Sequence, residues 1–140
     1  MARCLGIDYG TRRIGLALSD EEGIIAFPLE VVENSGERKA IQEIGRVVRE
    51  KNVSAIIVGM PLNLDGSKGP AAENVGRFVE AVKAALGLPV NVWDERLSTR
   101  IAERAMIEGG LSRRRRKESL DQSTAQIILQ SYLDAQHTKI

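Results

Sequence analysis

The sequence has few of the residues that build disulfides and zinc sites. It contains one cysteine, Cys4, and one histidine, His137, among 140 residues. A single cysteine cannot form an internal disulfide, and the sequence offers no Cys/His cluster for zinc. A metal centre in this chain is therefore expected to use carboxylates, which suit Mg²⁺ or Mn²⁺.

Long apolar runs are also missing. The longest are far shorter than the roughly 18 residues of a membrane span, and the start Met-Ala-Arg-Cys has no signal-peptide pattern. We therefore expect a soluble, cytoplasmic protein with no membrane contact. The net charge of +1 gives no long-range attraction for nucleic acid. A length of 140 residues with 43% hydrophobic residues predicts one compact domain spanning residues 1–140.

The first twenty residues predict a β-hairpin. Two apolar runs, Cys4 to Tyr9 and Ile14 to Ser19, flank a short turn that begins at Gly10. A tight hairpin turn often needs a positive φ, so we expect Gly10 to adopt one.

Asp8 is the unusual residue of this hairpin, because a carboxylate inside an apolar strand is costly unless its charge is compensated. If the strand register puts Gly15, Ala17 and Ser19 on the same face as Asp8, the sheet has little bulk around this carboxylate. The alternative is that Asp8 ends the strand and hydrogen-bonds the turn as an Asx residue.

Beyond the hairpin, the pattern changes from antiparallel β to α/β. Pro28 indicates that the third strand is an edge strand or has a bulge. Residues 109–117, with two glycines and a basic run, are expected to form a mobile loop. The predicted strands are 24–32, 53–59 and 90–93, and the predicted helices are 37–51, 70–86, one capped by Ser98 or Thr99 that ends at 109, and 119–136. This order predicts an α/β fold with a five-stranded mixed sheet, made of a three-stranded antiparallel meander and two parallel strands.

Three acidic residues far apart in sequence are candidates for one site: Asp8, Glu95 and Asp121. Each has an ordinary alternative, namely a turn bond, an exposed strand end and a favourable contact with a helix N-terminus. If they converge, their mutual repulsion is relieved by a hard divalent cation, Mg²⁺ or Mn²⁺. Two such ions catalyse phosphodiester hydrolysis. Asp94 competes with Glu95 for the middle position, because strand alternation puts the two on opposite faces and periodicity does not choose between them.

Four segments, in the order expected, resemble the YqgF (RuvX) family over essentially the whole chain. They are GIDYGTRRIGLALSD (6–20), VGMPLNLDGS (58–67), VWDERLST (92–99) and DQSTAQIILQSYLD (121–134). The resemblance implies an RNase H-like fold. It also implies activity as a Holliday junction resolvase or as a nuclease that processes the 5′ end of pre-16S ribosomal RNA. In the family pattern Asp8, Glu95 and Asp121 are the acidic site residues and the metal ligands, so the resemblance favours Glu95 over Asp94.

Basic and polar residues near these acids are the candidates for contacts with nucleic acid. The basic run precedes Asp121 by a few residues, and we expect it to bind phosphates and to become ordered on binding; a solvated linker is the alternative. Asn63 is the best candidate in the second motif for a substrate or structural contact. The predicted substrate-binding residues are Arg12, Arg13, Asn63, Arg96, Arg113, Arg114, Arg115, Arg116 and Lys117. The expected partner is pre-rRNA or a DNA junction, bound by a monomer or a weak homodimer.

Two other functions stay open at this point. ATPases and sugar kinases also begin with an Asp-x-Gly-Thr hairpin, but they clamp nucleotide between two such halves, and 140 residues supply one. An RNase H-like module that binds RNA or a protein without cleaving is the third alternative.

Overall fold

The computed structural model describes the backbone of residues 3–96 and 113–138, and the side chains of 3–96 and 124–137. Its elements, in chain order, are β1 (Arg3–Tyr9), β2 (Arg13–Ser19), β3 (Ala26–Glu33), α1 (Glu37–Glu50), β4 (Val53–Met60), α2 (Pro70–Leu86), β5 (Val90–Asp94) and α3 (Arg113–Thr138). None of the helices in these ranges combines the length and the apolar character needed to cross a membrane.

The strands form one five-stranded sheet in the order β3-β2-β1-β4-β5. β1 and β3 each pair antiparallel with β2, whereas β4 pairs parallel with β1 and β5 pairs parallel with β4. This arrangement confirms the predicted mixed sheet. It also places β1 at the centre, with one antiparallel and one parallel neighbour.

β3 is an edge strand with an irregular ladder, as Pro28 predicted. Ala17 of β2 pairs with Pro28 and Leu16 pairs with Glu30, so one residue of β3 is skipped. The strand begins at Ala26, two residues later than expected. The reason is that the backbone N–H groups of residues 24 and 25 donate to the Asp20 carboxylate at 2.7 and 3.1 Å instead of joining the ladder.

The two faces of the sheet are covered by different helices. Leu5, Ile7 and the other large aliphatic side chains of the central strands pack with α1 and α2 in the main core, where Tyr9 stacks on Phe78 with ring centroids 4.2 Å apart. The other face, here called the α3 face, packs against α3 in a smaller cluster that includes Ile57.

α3 lies close to the sheet because β1 has a glycine under it. An ideal Cβ on Gly6 would be 2.7 Å from Cβ of Leu129 and 3.1 Å from the carbonyl oxygen of Ala125. Further along α3, Gln130 accepts a hydrogen bond from the backbone N–H of Ala26 and donates one to the carbonyl of Ile24, near the start of β1. The N-terminal part of α3 is therefore directed toward the opposite end of β1, where Asp8 lies.

The helix α3 begins at Arg113, six residues before the predicted start near Ser119. The prediction of a loop through Lys117 is therefore wrong for residues 113–117, while 109–112 lie outside the described residues. Arginine and lysine are good helix formers, and the chain from 113 onward has no glycine or proline to stop a helix. The predicted helix from Ser98 or Thr99 to residue 109 also lies outside the described residues, although residues 95 and 96 already have helical backbone.

Two glycines that flank turns differ in how well they were predicted. Gly87 directly follows the predicted helix 70–86 and ends α2 in the left-handed conformation with φ 67°. Gly10 is not among the positive-φ glycines of the described residues, so that prediction is wrong. Gly10 is required there for another reason: a Cβ at this position would clash with the backbone carbonyl of Arg13 across the turn.

Candidate active site

Asp8 lies on the central strand with no side chain beside it on either neighbouring strand. It is directly opposite Gly15 of β2. In the parallel pair Ile7 aligns with Val58, and continuing that register puts Gly59 next to Asp8 on β4. Asp8 is on the α3 face, because Tyr9 and Ile7 point into the core of the other face.

Glu95 reaches this point from the end of β5, two strands away. An ideal Cβ on Gly59 would lie 2.8 Å from Cγ and 2.9 Å from Cδ of Glu95, so the Glu95 side chain runs across the space that a side chain at Gly59 would fill. Its carboxyl group hydrogen-bonds the carboxyl group of Asp8. Gly59 is thus the gap through which two acids from non-adjacent strands meet.

The environment of Glu95 strongly favours its protonated form. Burial, the nearby charges of Asp8 and Asp94, and the hydrogen bond to Asp8 together raise the pKa of Glu95 to about 7. The largest cause is burial, which disfavours a charge in the absence of a compensating group. Near neutral pH both the protonated and the charged form of Glu95 are therefore populated, and a nearby cation would favour the charged form.

Asp94 has the opposite environment, although it is the neighbouring residue. Its carboxylate accepts hydrogen bonds from the Arg96 guanidinium, with an ion pair of 2.6 Å, and from the Arg96 backbone N–H. These contacts lower the pKa of Asp94. The structure thus brings Glu95, and not Asp94, to Asp8. The negative charge of Asp94 is balanced instead by the Arg96 guanidinium.

Asp121 is known here only by its backbone position in α3. Its backbone lies one turn before Ala125, about 6 Å along the helix axis toward the end of β1 that carries Asp8. Its side chain is outside the described residues. Among the side chains that are described, no group of three potential metal ligands occurs. The participation of Asp121 stays a prediction.

The chemistry of the Asp8–Glu95 pair fits a hard divalent cation. Both residues offer carboxylate oxygens, the donor atoms that Mg²⁺ and Mn²⁺ prefer. The pKa of Glu95 is raised by burial and by the negative charges of Asp8 and Asp94, so a positive charge that balances them would favour its charged form. A divalent ion between them would supply that balance.

A tightly hydrogen-bonded loop follows β4 at the same end of the sheet. The backbone N–H of Asn63 donates to the Ser67 carbonyl at 2.9 Å, and its side-chain amide donates to Ser67 Oγ at 3.0 Å. Ser67 in turn donates to the Asp65 carboxylate from both its backbone and its hydroxyl, which lowers the pKa of Asp65. In the structure Asn63 therefore makes structural contacts within its loop.

The predicted basic contacts lie at different places. Arg12 is exposed in the β1–β2 turn, directly after the strand that carries Asp8, and Arg13 pairs with Glu33 in the ladder between β2 and β3. Arg96 is engaged by Asp94. Residues 113–117 begin α3, about one to two turns before position 121, and their side chains are outside the described residues.

The role of Gly59 was not predicted from the sequence, which placed this residue at the end of the predicted strand 53–59 and in the second motif. The available signal was a glycine inside a run of β-branched and apolar residues, since such a glycine often marks a close approach of another group. The same signal applies to Gly6 beneath α3.

Comparison with solved structures defines the class of fold. The RuvC protein of Thermus thermophilus, solved in complex with a Holliday junction substrate, matches with a TM-score of 0.59 and 22% identity, covering 99% of this chain and 97% of that chain. The Holliday junction resolvase of fowlpox virus matches with a TM-score of 0.55 and 13% identity, covering 95% and 99%. The chain therefore has the RNase H-like fold of these resolvases.

Sequence comparison gives the family. Residues 2–135 match the family described as "RuvX: Holliday junction resolvase". A curated protein of Halothermothrix orenii is 46% identical over 96% of both chains, and one of Clostridioides difficile is 44% identical over 94% of both; each is named "Putative pre-16S rRNA nuclease". This chain belongs to the RuvX family, as its four motifs predicted.

Proposed function

We propose that this chain is a divalent-metal-dependent nuclease that hydrolyses phosphodiester bonds of structured nucleic acid. The observation that carries the proposal is the half-buried pair of Asp8 and Glu95, which meet across Gly59. Membership of the RuvX family supports it, because the family description and the names of the curated relatives are those of nucleases.

The favoured substrate is the 5′ region of pre-16S ribosomal RNA, in keeping with the names of the curated relatives. The proposal includes the cytoplasmic location expected from the sequence. A four-way DNA junction is the second candidate. It is supported by the family description and by a fold shared with a protein solved on such a junction.

Asp8, Glu95 and Asp121 are the residues that would hold the metal. A divalent ion bound by carboxylates supplies an activated water and charge stabilisation for in-line displacement at phosphorus. Asp8, on the central strand between two glycines, would hold the metal together with Glu95 from the end of β5. The fold contributes two carboxyl groups that are held at one point and partly desolvated, so that a cation competes with the proton for them.

Basic residues at this end of the sheet would bind the phosphate backbone. Arg12 and the run Arg113–Lys117 are the proposed contacts, with Arg13 and Arg96 as further candidates. Binding through phosphates is tolerant of sequence and weakens steeply with salt. Replacing Arg113 to Arg116 with glutamine is therefore expected to weaken binding and to flatten its salt dependence.

A cleavage assay with Mn²⁺ or Mg²⁺ tests the proposal by offering a pre-16S 5′ precursor and a four-way DNA junction in parallel. We expect cleavage of the precursor, its loss with EDTA, and its loss in Asp8→Asn with the fold intact by circular dichroism. Glu80→Gln, an exposed acid on α2, is the control and should cleave normally.

Each other outcome of the assay points to a defined alternative. Preferential cleavage of the junction, accompanied by a stable dimer in solution, would favour resolvase activity, which needs two active sites. Metal binding without cleavage of either substrate would favour a non-catalytic module. Full activity of Asp8→Asn would refute the assigned site.

A further inference from the structure

Leu64 stands out among the described side chains because it is large, apolar and 79% exposed. The other exposed large hydrophobic residues are between 45% and 52% exposed. Leu62, two residues earlier, packs against the main core and anchors the loop. The loop therefore buries one leucine and presents the next one to solvent.

The loop that presents Leu64 is held firmly by its own hydrogen bonds. Asn63 and Ser67 bond each other through backbone and side chains, and Gly66 donates its N–H to the Asn63 carbonyl at 2.8 Å while adopting φ 88°. Asp65 accepts both the backbone N–H and the hydroxyl of Ser67. A loop fixed in this way cannot fold over to bury Leu64 without breaking several hydrogen bonds.

Arg96 connects this loop to the candidate active site. Its Nη1 donates to the Leu64 carbonyl at 3.2 Å, and its Nη2 lies 2.6 Å from the Asp94 carboxylate. Arg96 directly follows Glu95, whose side chain meets Asp8. One guanidinium therefore fixes the backbone of Leu64 next to the strand end that supplies Glu95.

A leucine side chain in a loop that Arg96 links to the candidate site would contact an uncharged, apolar part of a bound substrate. The phosphates of a nucleic acid are excluded as its target by chemistry, whereas the faces of its bases are apolar. Leucine is one of the side chains that proteins insert between base steps, partly unstacking them and bending the strand. A pre-fixed loop reduces the ordering cost of such a contact.

We propose that Leu64 is a base-contacting wedge, which packs into an unstacked or distorted base step of the nucleic acid whose backbone lies at the Asp8–Glu95 pair. This inference rests on the proposed nuclease function. It adds a determinant of substrate shape: Leu64 selects strands whose bases are already unpaired or easily separated beside the scissile phosphate.

The first test measures kcat/KM for cleavage of the RNA precursor and the DNA junction by Leu64→Ala, Leu64→Met and Ile24→Ala. We expect Leu64→Ala to lose about five- to tenfold, because the lost contact with a base is of the size of a stacking contact. Leu64→Met should retain most activity. Ile24→Ala removes an exposed apolar side chain at the far end of the sheet and should have no effect. Equal cleavage by Leu64→Ala and the unaltered protein would overturn the wedge while leaving the nuclease function intact.

The second test separates the wedge from catalysis. In the Asp8→Asn background, 2-aminopurine is placed at successive positions of each substrate, and its fluorescence reports unstacking on binding. We expect a rise at one base step that disappears with Leu64→Ala. That result, together with no cleavage of either substrate by the unaltered protein, would retain the wedge and reject the nuclease function. No rise at any position would overturn the wedge.

Discussion

The face of the sheet under α1 and α2 is filled by large side chains such as Leu5, Ile7 and Phe78, whereas the α3 face has glycine at three positions around Asp8. On the first face each strand contributes bulk to a closely packed core. On the second, Gly6 lets α3 approach the sheet and Gly59 gives Glu95 a path to Asp8.

This difference indicates a division of roles between the two faces. Burial of large apolar groups gains free energy in proportion to area, so the first face supplies much of the stability. The second face places two acids together with one raised pKa, an arrangement that lowers stability when Glu95 is charged and is typical of functional sites. Substitutions on the first face should therefore change mainly the free energy of unfolding, and substitutions on the second face mainly the pKa of Glu95 and the affinity for Mn²⁺.

The largest effect is expected from Phe78→Ala on the bulky face. Phe78 is 1% exposed and stacks on Tyr9, so its truncation leaves a cavity and should lower the free energy of unfolding by about 3–5 kcal/mol. Urea denaturation measures this loss, and Phe78→Leu should retain much of the stability. The pKa of Glu95, followed by NMR of its labelled carboxyl carbon, should stay near 7. A large change in that pKa would contradict the division between the faces.

The sequence predicted most of the fold because its signals were local. The alternation of apolar residues in β1 and β2, the short β-branched run of β4, and Pro28 and Pro70 each act within a few residues. The start of α3 was harder to predict. The segment from Arg113 to Ser119 contains no glycine or proline, so no residue in it marks where the helix begins.

The site was only partly predictable for a different reason. Alternation shows that Asp94 and Glu95 face opposite ways, but the choice between them depends on which face α3 covers, and that is a long-range property of the chain. The path of the Glu95 side chain across Gly59 to Asp8 depends likewise on the strand order β1-β4-β5. The resemblance to a known family supplied the choice of Glu95 that periodicity left open.

The second expected effect is a pH dependence of stability that originates at Glu95. Its pKa is about 7 in the folded chain and near 4.5 without these surroundings, so between these values the folded state binds more protons than the unfolded state. Stability without divalent ions should therefore fall as pH rises from 4.5 to 7. Glu95→Gln keeps this position neutral, and should be more stable at pH 8 by about 2–3 kcal/mol, with the difference vanishing below pH 4.5.

Asp94→Asn is the matched control for this experiment, because it changes the adjacent acid on the other face. The pKa of Asp94 is lowered by Arg96, so its contribution to stability is present at neutral pH and is lost in acid. Asp94→Asn should thus reduce stability at pH 8, by about 1 kcal/mol or less for an ion pair at the surface. Urea midpoints for both variants across pH 4 to 8 check the two signs. If both variants changed stability at pH 8 in the same direction, the folded structure would not disfavour the charged form of Glu95.

A small effect on stability, and the one most specific for the site, is expected from Gly59→Ala. The added methyl group would lie 2.5 Å from Cδ1 of Ile128 and 2.8 Å from Cγ of Glu95, and both side chains can move away at their flexible ends. The cost should therefore be about 1 kcal/mol, at the low end for an added methyl group in a packed region.

The informative result in Gly59→Ala is the displacement of Glu95 from Asp8. Its pKa should fall from about 7 toward its ordinary value, and its affinity for Mn²⁺, measured by calorimetry, should weaken. Gly76→Ala in α2 is the paired control: no atom lies within 4 Å of the added methyl group, so this variant should gain about 0.5–1 kcal/mol from helix propensity and bind Mn²⁺ normally. A Gly59→Ala protein with an unchanged Glu95 pKa and unchanged Mn²⁺ affinity would show that the gap at Gly59 is not what brings the two acids together.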